Sequence, residues 1–272
     1  MKTNEVPLVV VSSPETNITD LIIDRVNKDP KLALMSKQTS PGVWEDVTAE
    51  DYLAEVRALA KGFVASGIEV GQRVGIMSAT RYEWALTDFA LWFAGAVSVP
   101  IYESSAPSQI EWILSDSGAV AAIFENKTHF ELFKSVQKNL PAVKTTWTFE
   151  SKDLADLVKL GKSISDEELE KRRTSNGLQD LATIIYTSGT TGRPKGCELL
   201  HQGFVDLCRN AQAVLPEVVC PGGSTVLFLP MAHVFARFVS VLCVSGGVKV
   251  GHQPDAKNVA PAMQSFHPTF LL

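Results

Sequence analysis

The chain has 272 residues, 45% hydrophobic and 20% charged, a composition that excludes disordered, fibrous and disulfide-scaffold classes and is enough to bury a large core in one or two domains. Its formal net charge of −5, with no basic stripe, excludes nucleic acid as a bulk partner. Cys197, Cys208, Cys220 and Cys243 show no C-x-x-C spacing and no paired histidine frame, so they read as reduced thiols of a cytoplasmic protein. The N-terminus has too short an apolar core for a signal peptide. The most apolar run, Phe89–Ile101, falls short of the roughly 18 to 20 residues a membrane span needs.

Taken in order, Ile18–Val26 has a helical apolar face and Pro30 as its stop. Short strands follow at Ala33–Met35 and Val43–Val47. Thr48-Ala-Glu-Asp51 caps a helix that runs to about Ser66 and ends at Gly67. Regular alternation then sets in: strand Arg73–Met77, helix Tyr82–Ala94, strand Ala96–Pro100, helix Pro107–Ser117, strand Val120–Phe124, helix His129–Leu140. Near-continuous apolar strands in a strand–helix rhythm predict an α/β fold of mainly parallel sheets covered by helices on both faces. Residues 151–177 are polar and charge-rich, read as exposed helix and loop, and mark a boundary between two subdomains. Beyond a strand at Leu181–Ile185 come helix His201–Val214, strand Ser224–Leu229, helix Ala232–Val244, strand Gly246–Val250, helix Val259–Phe266, and the start of a strand at Thr269–Leu272.

The chemistry centres on Tyr186–Gly196, YTSGTTGRPKG. This run gathers the hydroxyls of Tyr186, Thr187, Ser188, Thr190 and Thr191, the glycines Gly189, Gly192 and Gly196, and Lys195 into a loop between two apolar strands. Glycine admits close approach and positive φ, hydroxyls and free amides form a concavity of donors, and Lys195 adds a full charge. Such a loop suits phosphate oxygens. It is not a Walker loop, which needs Gly-Lys-Ser/Thr opening a helix, whereas here Pro194 precedes Lys195. The bland alternative is a Gly/Thr-rich turn with no ligand.

TSGTTG-x-PKG resembles the phosphate-loop signature of the adenylate-forming superfamily, which includes acyl-CoA synthetases, peptide-synthetase adenylation domains and luciferases. The resemblance implies that Thr187, Ser188, Gly189, Thr190, Thr191, Gly192 and Lys195 grip the phosphates of ATP and that Thr187 helps to hold Mg²⁺. SVPIYESSAPSQIEWILSDSGAVAAIFE resembles the corresponding passage of long-chain fatty acyl-CoA synthetases, and no chemistry is assigned to its residues. Leu229-Pro-Met-Ala-His-Val-Phe-Ala-Arg237 falls where a strand hands over to a helix, a place where ligands collect in α/β sheets. His233 near a helix start reads as a neutral ring, with Arg237 four residues on along the same helix face. The bland reading makes His233 a structural residue. The resemblance of LP-x-AHVF-x-R to the second motif of long-chain acyl-CoA synthetases implies instead that His233 lines the site where acyl carboxylate and α-phosphate meet. The sequence departs from most long-chain members at Ala236, where they carry an acidic residue.

What this implies is ATP-dependent activation of a long-chain fatty acid to acyl-AMP and then, with coenzyme A, to acyl-CoA. The alternatives are an aryl or medium-chain acid ligase, or a non-catalytic nucleotide- or acyl-binding protein. Fatty acid, ATP and coenzyme A are the expected partners. A long acyl substrate is compatible with loose membrane contact, although no amphipathic basic helix supports it, and nothing specifies an oligomeric state. Charge-assisted bonds to phosphate contribute about 1.5–3 kcal/mol each, while ordering ten loop residues costs on the order of 10 kcal/mol. Net affinity therefore needs an adenine pocket, a ribose clamp and Mg²⁺ held at another point. The family motifs that supply them, with the small C-terminal domain, have no match here. The expectation is the N-terminal part of a large adenylation domain, inactive alone and binding ATP with millimolar affinity at best.

Overall fold

The computed structural model describes residues 7–187 and 193–271. Ser188, Gly189, Thr190, Thr191 and Gly192 of the hydroxyl-rich run lie outside them.

Helix α1 (Ile18–Lys28) starts where Asn17 accepts from Thr19 N and the Asp20 carboxylate accepts from Asn17 N, a reciprocal cap. Strands β1 (Ala33–Ser40) and β2 (Val43–Thr48) form an antiparallel hairpin, and α2 (Ala49–Ala65) opens on Thr48, whose hydroxyl accepts from Asp51 N. The alternating region follows as β3 (Arg73–Met77), α3 (Tyr82–Phe93), β4 (Val97–Ile101), α4 (Pro107–Asp116), β5 (Ala121–Phe124), α5 (Lys127–Lys134) and β6 (Thr145–Thr148). Then come α6 (Asp153–Leu160), α7 (Asp166–Arg173), β7 (Leu181–Thr187), β8 (Lys195–Leu200), α8 (His201–Val214), β9 (Ser224–Leu227), α9 (Val234–Gly246), β10 (Lys249–His252) and α10 (Val259–Phe266).

These strands make two sheets, one ordered β2-β1-β10-β9 and the other β6-β5-β3-β4-β7-β8. Pairing is parallel except at β1–β2 and β7–β8, so the expected mainly parallel α/β class holds. Along β3 the side chains alternate between two cores. Val74 and Ile76 join a cluster drawn from both sheets and from α1, α2, α3, α8 and α9, whereas Met77 joins one under α4 and α5. Every residue of helix α3 except Glu83 in its first turn is buried, as its nearly all-round apolar surface requires.

Several elements differ from the sequence reading, and β1, expected over Ala33–Met35, runs on to Ser40. The expected helix over His129–Leu140 stops at Lys134 and gives way to a 3₁₀ turn at Gln137–Asn139. Strand β6, with only Trp147 of its residues buried, was not anticipated because an edge strand of four residues carries little apolar signal. The expected strand at Gly246–Val250 begins later, since α9 runs through Gly246 and ends at the left-handed Gly247 (φ 77°). Among the described residues, 269–271 are not a strand. Thr269 and Phe270 both bond to the one carbonyl of Ser224, which closes a turn against β9 rather than extending a ladder.

Residues 151–177 present the charged face expected of them, yet their inner side is packed. Leu157, Leu169 and Arg173 are buried, and Arg173 pairs with Asp20 of α1 at 2.6 Å. Here α6 meets α2 backbone to backbone. A Cβ on Gly62 would stand 2.5 Å from the Leu157 carbonyl oxygen, and one on Gly161 would stand 2.5 Å from Gly62 N. Gly62→Ala is therefore expected to force the two helices apart and cost about 1–3 kcal/mol. Gly203→Ala, on an exposed helix position where a Cβ meets nothing, should instead stabilise by about 0.5–1 kcal/mol. Urea midpoints of the two variants check the opposite signs.

Candidate active site

The hydroxyl-rich run is narrower as a loop than the sequence reading made it. Tyr186 and Thr187 belong to β7, Lys195 and Gly196 belong to β8, and the ladder pairs Tyr186 with Gly196 and Thr187 with Lys195. Opposite Tyr186 a Cβ on Gly196 would come within 3.1 Å of the tyrosine ring and 2.8 Å of Ile184 Cγ2, so glycine there lets the ring lie across the hairpin. Thr187 and Lys195 are both exposed. The Thr187 hydroxyl lies 3.9 Å from the Cys197 sulfur.

His233 is the N-cap of α9, not its first turn. Its backbone is extended (φ −91°, ψ 138°) and its Nδ1 accepts from Phe235 N at 3.2 Å. Accepting at Nδ1 places the ring proton of a neutral imidazole on Nε2, and Nε2 is then the atom a carboxylate or phosphate oxygen can reach. The turn leading to it is pinned from β3's side: the Thr80 hydroxyl donates to Leu229 O at 2.6 Å and accepts from Met231 N at 3.2 Å. Thr80 is a positioning residue that no sequence motif marked.

Thr187 and His233 come together. They line one cavity of about 340 Å³ with Tyr102, Ser105, Gln109, Ile185 and Pro194 at its wall. It opens beyond the carboxyl ends of β4 and β7, the side of an α/β sheet where ligands bind. Tyr102, Ser105 and Gln109 come from the passage to which the sequence reading gave no chemistry. Their signal was the Ser-rich turn before a helix.

Arg237 does not belong to this site, contrary to the sequence reading that set it beside His233. It is fully buried. Its Nη2 donates to Asp88 Oδ1 and Oδ2 at 2.8 Å each and to Ser98 Oγ at 2.9 Å, its Nε to Asp88 at 3.0 Å, and its Nη1 to the Thr183 hydroxyl. The Trp84, Trp92 and Phe204 rings surround the guanidinium at 5.4–5.8 Å. Because the cap residue is not helical, the i, i+4 relation that would align the two side chains does not apply. Ala236, where an acidic residue was expected from the resemblance, is fully buried as well.

All four cysteines are free, Cys208 and Cys243 buried; burial pushes the Cys243 thiol up to about 12, so it is inert as a nucleophile. No group of three or more His, Cys, Asp or Glu among the described residues could hold a metal ion. No helix among them is long and apolar enough to cross a membrane.

Two helix-covered, mainly parallel sheets bring the β7–β8 hairpin and a capping histidine together at the carboxyl ends of the strands, with Thr187 and His233 on one cavity. The chain belongs to the AMP-binding enzyme family, which matches residues 24–272. The long-chain-fatty-acid–CoA ligase FadD15 of Mycobacterium tuberculosis is 36% identical over 275 residues, covering 100% of this chain and 46% of that protein. The long-chain-fatty-acid–CoA ligase ACSBG2 of Xenopus laevis is 29% identical, covering 97% and 38%. The chain thus spans about half the length, or less, of these relatives. Among solved structures, a long-chain-fatty-acid–CoA ligase (FadD1) of Archaeoglobus fulgidus superposes with a TM-score of 0.82 at 20% identity, covering 98% of this chain and 53% of that one. The N-terminal domain of FACL13 from Mycobacterium tuberculosis gives 0.78 at 24% identity, covering 94% and 62%. At those identities the superpositions speak for the fold.

Proposed function

We propose that this chain is the N-terminal part of the large adenylation domain of a long-chain fatty acid–CoA ligase, with a subdomain boundary in 151–177. The observation that carries the reading is the single cavity lined by both Thr187 and His233. The similarity to ligases named for long-chain fatty acids supports the substrate class. The exposed Val234 and Phe235 beside His233 offer apolar surface next to a carboxylate site.

A fatty carboxylate is a poor electrophile. In the proposed first step its oxygen attacks the α-phosphorus of ATP, the bond to the β-phosphate oxygen breaks, and pyrophosphate leaves. Thr187, Ser188, Gly189, Thr190, Thr191, Gly192 and Lys195 would hold the β- and γ-phosphates and stabilise the charge that develops on pyrophosphate. His233 would donate from Nε2 to the acid or the α-phosphate and hold the two in line, a proximity role. Mg²⁺ would arrive with the nucleotide, neutralising phosphate charge, and the exposed Thr187 oxygen is the protein atom we assign to it. In the second step coenzyme A thiolate attacks the acyl carbonyl and AMP leaves. The free cysteines support a cytoplasmic location.

The test is pyrophosphate release from ATP by a protein carrying the complete adenylation domain, with long-chain, medium-chain and aryl acids compared. Release that requires a long-chain acid is expected; release with aryl acids alone would contradict the substrate class. In the same protein Lys195→Ala should slow adenylation about 10–100-fold, the equivalent of one charge-assisted bond, and leave thioester formation from supplied acyl-AMP largely intact. Equal loss in both half-reactions would contradict the assigned role.

A further inference from the structure

Helix α4 touches the phosphate hairpin at two points one turn apart, on β7 and at the residue just before β8. At one end the Tyr186 hydroxyl donates to Asp116 Oδ2 at 2.7 Å, next to Thr187. At the other, Trp112 Nε1 donates to the Pro194 carbonyl at 2.8 Å, next to Lys195. The Arg193 guanidinium lies 4.7 Å from the centroid of the same indole, within range of a cation–π contact. Trp112 and Asp116 are four residues apart on one helix and share a face. Tyr186 is 7% exposed, and burial together with the Asp116 carboxylate pushes its phenol upward, so it remains a donor.

The hairpin needs such support. Strand β8 is the edge of its sheet, its first four residues are exposed, and its ladder bonds reach only β7. A tip held by one ladder swings with that ladder, and phosphate binding must then supply the energy to fix it.

We propose that α4 is a clamp on the phosphate hairpin, with Trp112 and Asp116 as positioning residues that set Lys195 and Thr187 for the phosphates of a nucleotide. The inference rests on the nucleotide reading given above. The clamp takes up part of the ordering cost before ligand arrives, so loosening it weakens phosphate binding without altering the groups that touch phosphate.

The test uses this protein with Mg·ATP, calorimetric titration giving affinity, and hydrogen exchange of residues 186–195 without nucleotide giving the state of the hairpin. Trp112→Phe, which keeps the ring over Arg193 and loses the N–H, should weaken Mg·ATP about 2–10-fold, the range of one neutral hydrogen bond. It should speed exchange in 186–195 while leaving the thermal midpoint within a degree or two. Tyr186→Phe should do the same. Asp116→Asn, whose amide oxygen still accepts from the tyrosine, should restore affinity to within about twofold of the parent. Unchanged exchange and affinity in both Trp112→Phe and Tyr186→Phe would overturn the clamp. Failure of the nucleotide reading looks different: Mg·ATP binding absent, or insensitive to Lys195→Ala, while exchange in 186–195 still responds to Trp112→Phe.

Discussion

Arg237→Ala should lose about 3–5 kcal/mol of folding stability, because it strands the Asp88 carboxylate in the core without its partner. Asp88 is 3% exposed and Arg237 0%, so neither charge can turn to water. Arg237→Lys should recover little of the loss. One ammonium cannot reproduce the fork that reaches Asp88, Ser98 and Thr183 together. Replacing both partners, Arg237→Met with Asp88→Leu, should cost much less than either single truncation, since no buried charge remains. Urea unfolding with an unchanged m-value is the measurement. A loss below 1 kcal/mol for Arg237→Ala would contradict it. The cluster also bears on the site. It ties α9, which His233 caps, to α3, to β4 through Ser98 and to β7 through Thr183, and β7 ends at Thr187. The charge cluster therefore fixes the two halves of the candidate site relative to each other from behind.

Lowering the pH from 7 to 5 should cost the fold about 4 kcal/mol, nearly all of it from two histidines. Burial holds both His201 and His252 down to about 4, against partial opposition from Asp180 and Asp20 for the first and Glu83 for the second. His201 Nδ1 accepts from Ile18 N at 3.3 Å, while His201 Nε2 and both nitrogens of His252 have no partner among the described residues. Protonation would place a buried cation with no hydrogen-bond acceptor for its N–H among the described residues, and the carboxylates nearby offset only part of that cost. The sign follows from linkage. Above the ordinary histidine value of about 6.5 both states are neutral and the stability is fully present. Between about 6.5 and 4 the unfolded chain binds protons that the native state refuses, so stability falls as pH falls, by at most about 1.4 kcal/mol per unit for each histidine. Below about 4 this loss stops growing. The carboxylates held below their usual range, such as Glu83 and Glu170 beside their arginines, lose their contribution mainly below pH 5, so the upper window isolates the histidines. His201→Gln should remove about half of the slope between pH 7 and 5. A flat profile across that window would contradict the assignment.

The strand–helix rhythm from Arg73 to Phe124 was legible because β3, α3, β4 and β5 are almost wholly buried and α4 carries a buried stripe at Ile110, Ile113 and Leu114. The turn between β7 and β8 was legible because glycines and hydroxyls interrupt two apolar strands. The second sheet was not: β1 lies beside β10, and no local pattern encodes a partnership across so much chain. The fate of Arg237 was hidden for a different reason. Helical spacing sets it over His233 only if His233 is helical, and the imidazole's role as cap takes it out of the helix. Tyr102 and Ser105 reach the cavity from the turn after β4 and Gln109 from the first turn of α4, a placement that depends on how α4 packs. Trp112 lies in a passage to which the sequence reading assigned no chemistry, and its bond to the Pro194 carbonyl is visible only in the folded chain.

The most direct test of the account is a titration of the isotope-labelled protein with Mg·ATP, followed by the backbone amides of Thr187 and Lys195 and the imidazole of His233. All three should shift along one binding curve with a midpoint in the millimolar range, and Lys195→Ala should abolish the response. Shifts confined to other regions, or a response of Thr187 and Lys195 that leaves His233 untouched at saturation, would show that hairpin and histidine do not form one site.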